Sequence, residues 1–373
     1  MKKILFASTA LAMTAGMAAA QGVTLSGSAE MGVFGASRDL VDAQFHTDID
    51  VTFTMAGETD GGLTFGATID LDESDGSNIG ETTVASEPGG DETDEEGVQD
   101  NLIRIPGSSG ASPAFSANTQ GGETIFISGG FGTVTMGDTD GAFDWALTEV
   151  LFNNGSLQDN EETLGYSGNA GLDGFYDGQI VRYDYSFGDF GVALSGELDD
   201  DGSGDPVLGI GFKYGTEFGE TGLEFGLGYQ YVDGDGAAFA DQINELTDQD
   251  ALGAGIAFDG EAQAIGVSAA GTFAGGFSAG VVYSLIDFDG TDVDHFGIGG
   301  GYTTGAISAS ANYGWTEFGD VGDIQGIGLT LGYDLGGGAE VQFGYGYNDI
   351  NGEGDESIDT DFHTYSVGVS MSF

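Results

Sequence analysis

The stretch VTFTMAGETDGGLTFGATIDL, residues 51–71, decides the fold. Val51, Phe53 and Met55 alternate with Thr52 and Thr54. Beyond the turn-like Gly57-Glu58-Thr59-Asp60-Gly61-Gly62, Leu63, Phe65, Ala67, Ile69 and Leu71 alternate with Thr64, Thr68 and Asp70. A side-chain period of two is that of a strand, because successive Cβ atoms leave opposite faces. Two such runs across a glycine-rich turn predict an antiparallel hairpin. Each strand has one apolar face and one face that is small, hydroxylated or acidic.

The same unit recurs in both directions. Upstream, Val23, Leu25, Met31 and Val33 oppose Thr24, Ser26, Ser28 and Glu30, and Phe45 and Ile49 oppose His46, Asp48 and Asp50. Downstream, strands are expected near 123–129, 131–137, 179–187, 190–198, 205–215, 222–232, 262–273, 277–286, 293–303, 306–316, 323–334, 339–348 and 363–373. Together these make sixteen, and eighteen stays open because Leu252, Ala254, Ile256 and Phe258 also alternate. Short turns such as Gly188-Asp189 and Ala274-Gly275-Gly276 take turns with long acidic segments at about 72–122, 138–178, 233–250 and 349–361.

Composition narrows the class. The 373 residues include 62 Asp or Glu, 6 Lys or Arg, 71 Gly and no Cys, for a formal charge of −56. Nucleic acid is excluded as a partner, since phosphate binding needs clustered basic residues. Disulfides and Cys-ligated metals are excluded with the missing thiol. The 26 Phe and 14 Tyr are too many for a disordered acidic chain. Glycine is far above its usual ~7 %, and is expected in turns and where the wall of the fold curves.

Residues 1–20, MKKILFASTALAMTAGMAAA, have the basic, apolar and small-residue regions of a cleaved signal peptide. Residues 21–373 then form a single domain. Removing Lys2 and Lys3 takes the formal −56 to −58 and leaves Arg38, Arg104, Arg182 and Lys213 as the basic residues. No later apolar run is long enough for a spanning helix, so a membrane crossing has to be made by strands.

A soluble sandwich also alternates. Three features favour a transmembrane barrel. The polar face is acidic rather than lysine-rich. Aromatics gather at strand ends, with Phe131, Phe187, Phe190, Tyr214, Phe273, Phe277, Tyr302 and Tyr333 beside the short turns and Phe34, Phe45, Tyr231, Trp315 and Phe362 toward the other rim. The chain also ends on a strand whose last residue is Phe373. Aromatic girdles, short turns on one rim and long loops on the other describe an outer-membrane barrel. About sixteen strands enclose an aqueous lumen, whereas eight fill their own interior.

The chain resembles the alphaproteobacterial general-diffusion porins, trimeric sixteen-stranded barrels of the bacterial outer membrane. The matching stretches are VTLSGSAEMGVFG at 23–35, residues 51–71 quoted above, TIFISGGFGTVTMGD at 124–138, GQIVRYDYSFGDFGVALS at 178–195 and the final HTYSVGVSMSF. The resemblance implies a homotrimer in outer-membrane lipid and lipopolysaccharide, and an inward loop at Asp138 to about Gly178. It also implies that Phe373 belongs to the signal read by the outer-membrane assembly machinery. The arginine cluster that family pores usually carry opposite the acidic loop has no counterpart here. The segment 72–122 is long for a latching loop, so either long loop is open as the constriction.

Lumen and loop chemistry follow from the faces. Alternation turns Arg182, Asp184, Lys213, Asp48, Asp50 and Asp70 inward. Arg182 is open to two readings, a local ion pair holding the loop or a direct role in permeation. The loop offers Asp138, Asp140, Asp144, Glu149, Asp159, Glu161, Glu162, Asp173 and Asp177, with no basic residue between 138 and 178. An acidic ring predicts a cation-preferring channel for small ions and hydrophilic solutes. Ca²⁺ or other divalent cations are expected at Asp199, Asp200 and Asp201 with Asp205, and at Asp287, Asp289, Asp292 and Asp294, bridging to lipopolysaccharide. No nucleophile with an organised base is visible, because His46, His295 and His363 are scattered. No enzyme activity is expected. The alternative reading is a secreted, acidic, calcium-dependent structural or adhesive β-protein, although no nonapeptide repeat supports it.

Overall fold

The hairpin at 51–71 is formed by β2 (Gln44–Glu58) and β3 (Thr64–Asp72), paired antiparallel from Asp50↔Asp72 to Glu58↔Thr64. In this computed structural model the described residues are 22–37, 43–72, 119–152, 155–166, 168–176, 178–198, 204–236, 258–288, 291–319, 322–352 and 360–373. The expected signal peptide and most of segment 72–122 lie outside them, as do Asp177, Asp199, Asp200, Asp201 and Asp289.

Around the hairpin stand β1 (Gly22–Ala36), β4 (Thr119–Gly129), β5 (Gly132–Asp138), β6 (Gln179–Phe187), β7 (Phe190–Glu197), β8 (Val207–Phe218), β9 (Thr221–Gly236) and β10 (Phe258–Phe273). They continue as β11 (Phe277–Phe288), β12 (Thr291–Thr304), β13 (Ile307–Phe318), β14 (Gly322–Gly336), β15 (Ala339–Gly352) and β16 (Thr360–Ser372). Each strand pairs with its sequence neighbours, and β1 closes on β16 from Ser28↔Ser372 to Ala36↔Thr364. The sixteen-stranded reading therefore stands among the described residues, with Phe258 at the head of β10, while Leu252, Ala254 and Ile256 lie outside them. Closure leaves no sheet edge, and among the described residues there is no second sheet, so the sandwich alternative falls.

The apolar face points outward. Val23, Leu25, Phe45, Ile125, Met136, Phe212, Ile265 and Leu331 are exposed, as lipid-facing residues are when the barrel stands alone. Beside the short turns Phe187 stacks on Phe190, which in turn meets Tyr214 at a tilt, with centroids 5.8 and 4.8 Å apart. The opposite girdle differs from expectation at two positions. Phe34 and Phe362 fall on the inward parity of β1 and β16 and are buried, Phe34 edge-on to His46. Phe362 packs with Ile350 and with Leu164 of the inward loop, while Phe34 meets His46 of the neighbouring strand.

Above the outward aromatics runs a polar row. Tyr229 Oη donates to Gln263 Oε1 at 3.3 Å, and Gln263 Nε2 donates to Asp287 at 3.3 Å. Tyr313 Oη, Gln325 and Asp349 repeat the arrangement at 3.1 and 3.0 Å. Along β11 the outward face runs from Phe277 to Asp287. At ~3.3 Å per residue and a tilt near 40°, this row stands about 25 Å above the lower girdle, the height of the apolar band in such barrels.

Candidate functional site: an inward loop and the wall it faces

The segment after β5 turns into the lumen. Asp138 is the exception, because it continues the outward parity of Val134 and Met136 and is exposed. From Gly141 onward the chain follows the inner wall. Helix α1 (Ala142–Ala146) packs on β6–β9, with Ala142 N donating to Ser195 Oγ at 2.8 Å. Thr148 N donates to Ser268 Oγ on β10 at 3.0 Å. A 3-10 turn, Leu157–Asp159, reaches β15, β16 and β1, where Asn160 Nδ2 donates to Ser366 Oγ at 2.6 Å. The return path is tied down by Asn312 Nδ2 to Glu161 O at 3.0 Å and by Leu164 N to Asn348 Oδ1 at 2.7 Å. Leu172 N then donates to Gln230 Oε1 at 2.7 Å, and Gly178 N to Glu197 Oε1 at 2.9 Å.

This course depends on missing side chains. Many inward positions of the wall that the loop backbone passes are glycine, between the polar side chains that bond to it. A Cβ on Gly346 would stand 2.6 Å from Asn160 O, and one on Gly314 would stand 2.5 Å from Gly165 O. At Gly211, Gly226 and Gly299 the carbonyls of Ala142, Ala146 and Val150 occupy the place of the Cβ. Much of the glycine expected to serve curvature instead makes room for this loop. The sequence signal was glycine at alternate inward positions, as at 209 and 211, 226 and 228, and 297, 299 and 301.

The loop acids meet different fates. Asp173 accepts from Gly141 N at 2.7 Å and from Gln230 Nε2 at 2.5 Å. Glu161 is buried and accepts from Ser156 Oγ at 2.5 Å. Glu149 accepts from the Tyr166 hydroxyl, which itself accepts from Val150 N at 2.9 Å. Burial pushes the Asp144 carboxyl up to about 8, helped by nearby Asp140, Glu149 and Asp173. Asp159, Glu161 and Asp173 are pushed up to about 7, burial being the main cause in each. Glu149 and Glu162 are raised by burial as well.

Asp159 is the sole non-glycine residue with positive φ among the described residues, at 42°. Asp tolerates this left-handed region better than most residues. The charges of Glu30, Asp48 and His46 on the inner wall act on its carboxylate. Asp48, Asp50 and Asp70 are on the lumen side as expected. Ser28 Oγ donates to Asp50 at 2.9 Å, and Thr52 Oγ1 to Asp70 at 2.9 Å. The inward faces of β2–β5 thus present carboxylates and hydroxyls across from the arc occupied by the loop.

Both inward basic residues are engaged. Arg182 is 3 % exposed, and its Nη1 donates to Asp140 O at 2.5 Å while Nε lies 3.6 Å from Asp184. Lys213 Nζ lies 4.0 Å from Glu224 and 4.9 Å from the centroid of the Trp145 ring. Of the two readings of Arg182, the loop anchor is the one visible in the geometry. Trp145, Tyr166, Gln230 and Glu224 were not singled out from sequence, because nothing in alternation marks a residue that a distant loop will touch. Among the described residues no three His, Asp or Glu side chains gather as a metal site needs. Asp205 accepts through its backbone from Tyr176, and Asp287 stands in the outer polar row.

Comparison places these features in context. A family model described as Gram-negative porin matches residues 7–353. A porin of Rhodobacter capsulatus is 28 % identical over 341 residues, covering 88 % of this chain and 95 % of the relative. A solved porin structure refined at 1.8 Å superposes with a TM-score of 0.60 at 22 % identity, over 94 % of this chain and all of the other. A Vibrio cholerae outer membrane protein, OmpT in its trimer form, gives 0.55 at 14 % identity, with 94 % and 99 % of the two chains covered. At such identities the two structures speak for the fold alone.

Proposed function

The chain belongs to the Gram-negative porin family, a class of non-enzymatic outer-membrane channels, and from that membership we propose that it passes small hydrophilic solutes by diffusion with a preference for cations. One observation carries the preference. Carboxylates stand on both sides of the passage: Asp159 of the loop is exposed in a turn that contacts β1, and Glu30 and Asp48 lie on the inward faces of β1 and β2. A one-sign cleft raises the local concentration of counter-ions and repels co-ions. The reversal potential of single channels in a KCl gradient tests this, and an anion-selective sign refutes it. Asp159→Asn is the sharper variant, because Asn keeps the left-handed backbone while removing the charge. It is expected to reduce the cation-to-anion permeability ratio.

The same reading takes the barrel as a homotrimer. Divalent cations such as Ca²⁺ would link the outer polar row around Asp287 and Asp349 to lipopolysaccharide, in keeping with the height of that row and the absence of lysine in it. Phe373, exposed and held through its N–H to Gly27 O at 2.9 Å, remains the candidate for the assembly signal. Excess chelator is expected to lower the thermal stability of the native oligomer in outer-membrane vesicles, and no change would count against the cation link.

A further inference from the structure

We propose that Trp145 and Glu224 determine selectivity by withdrawing the charge of Lys213 from the pore. The inference rests on the cation-preferring reading above. Lys213 is on the inward face of β8, where an ammonium on a flexible stem would ordinarily reach into the water of the lumen. Here its side chain is only 15 % exposed. The Trp145 ring, supplied by α1, lies over the ammonium with 4.9 Å from Nζ to the ring centroid. The ring has room because the neighbouring inward position is Gly191, where a Cβ would stand 2.9 Å from the indole.

The ammonium also meets Glu224. Its Oε1 is 4.0 Å from Nζ and also accepts from Thr148 Oγ1 at 2.9 Å, so the loop fixes the carboxylate that neutralises the lysine. A cation in contact with both an indole face and a carboxylate gains from both, and its field across the pore is largely cancelled. Both inward basic residues described above are thereby spent on holding the loop, Arg182 through Asp140 and Lys213 through Trp145 and Glu224. The passage is left to its carboxylates. Trp145 and Glu224 act through Lys213 and are positioning residues.

Lys213 is the only lysine after Lys3, which makes its accessibility directly readable. The full-length protein in detergent is treated with a membrane-impermeant N-hydroxysuccinimide ester, and the Lys213 peptide is followed by mass spectrometry. Acylation is expected to be about tenfold faster in Trp145→Ala than in the wild-type protein, the size of effect a lost desolvated cation–π contact gives. In single channels, Trp145→Ala and the milder Glu224→Gln are each expected to lower the cation-to-anion permeability ratio about twofold or more. Adding Lys213→Met to either variant is expected to restore the ratio, which a merely structural loss of the loop would not do. Equal acylation rates with and without Trp145, or a ratio unchanged in both variants, would overturn the proposal. A wild-type channel that lacks cation preference would instead refute the preceding reading, while the acylation rates still report whether Lys213 is covered.

Discussion

The carbonyl oxygen of Val150 occupies the place that a Cβ on Gly299 would need. Loop and wall are therefore in backbone contact, and the smallest side chain at residue 299 has to push one of them away. Forcing a methyl group into a packed contact costs about 1–3 kcal/mol. Gly299→Ala is expected to lower the unfolding temperature of the barrel in detergent and to expose the loop to protease. Gly196→Ala is the matched control, since its Cβ would meet nothing nearer than Leu208 at 3.8 Å. Equal stability of the two variants would show that the loop does not depend on the glycine track.

Arg182 ties the start of the loop to β6. Its buried guanidinium donates to the Asp140 carbonyl, a charged hydrogen bond of the kind worth about 1.5–3 kcal/mol. The Asp140 carboxylate is 58 % exposed and adds little. Arg182→Met is expected to destabilise the barrel by about 2 kcal/mol in urea titration. Arg182→Lys is expected to recover only part of that, because a single ammonium cannot hold Asp140 and Asp184 together.

Tyr166 fastens the middle of the loop. Its hydroxyl accepts from the Val150 N–H at 2.9 Å and donates to Glu149. Tyr166→Phe leaves a buried N–H and a carboxylate short of a partner, at a cost of about 1–3 kcal/mol. Faster backbone amide exchange at Val150 is the expected signature, and wild-type protection there would contradict the assignment.

The barrel was legible because membrane strands obey one rule, lipid outside and water inside, and the rule writes itself into alternate residues. Strand number, hairpin order and the inward placement of Asp48, Asp70, Arg182 and Lys213 all follow from it. Asp138 misleads because it is still the last residue of β5, on the outward parity of Val134 and Met136, where the chain has not yet turned inward. Phe34 and Phe362 mislead because both have inward parity and find an interior to bury in, Phe362 against Leu164 of the loop and Phe34 against His46. The site itself was only half visible. Sequence supplies the acids of the loop, but the identity of the strand each one meets is a long-range contact, such as Asn160 with Ser366. Local periodicity holds no record of that.

The shifted loop carboxylates give the pore a pH dependence with a definite sign. Burial raises Asp144 to about 8 and Asp159 to about 7, above their ordinary 3.8. The folded state therefore holds protons that the unfolded chain has released, and the stability these groups contribute is fully present below their unfolded pKa and lost as pH rises through about 7 to 8. The barrel in detergent is expected to unfold at a lower temperature at pH 9 than at pH 6. Permeation should move the other way. Asp159 faces the wall acids, so its ionisation between pH 6 and 8 strengthens the anionic field of the passage, and the cation-to-anion permeability ratio is expected to rise over that interval. In Asp159→Asn the rise should be smaller while the loss of stability due to Asp144 persists. A ratio that is flat from pH 6 to 8 in the wild-type channel would place Asp159 outside the path of the ions.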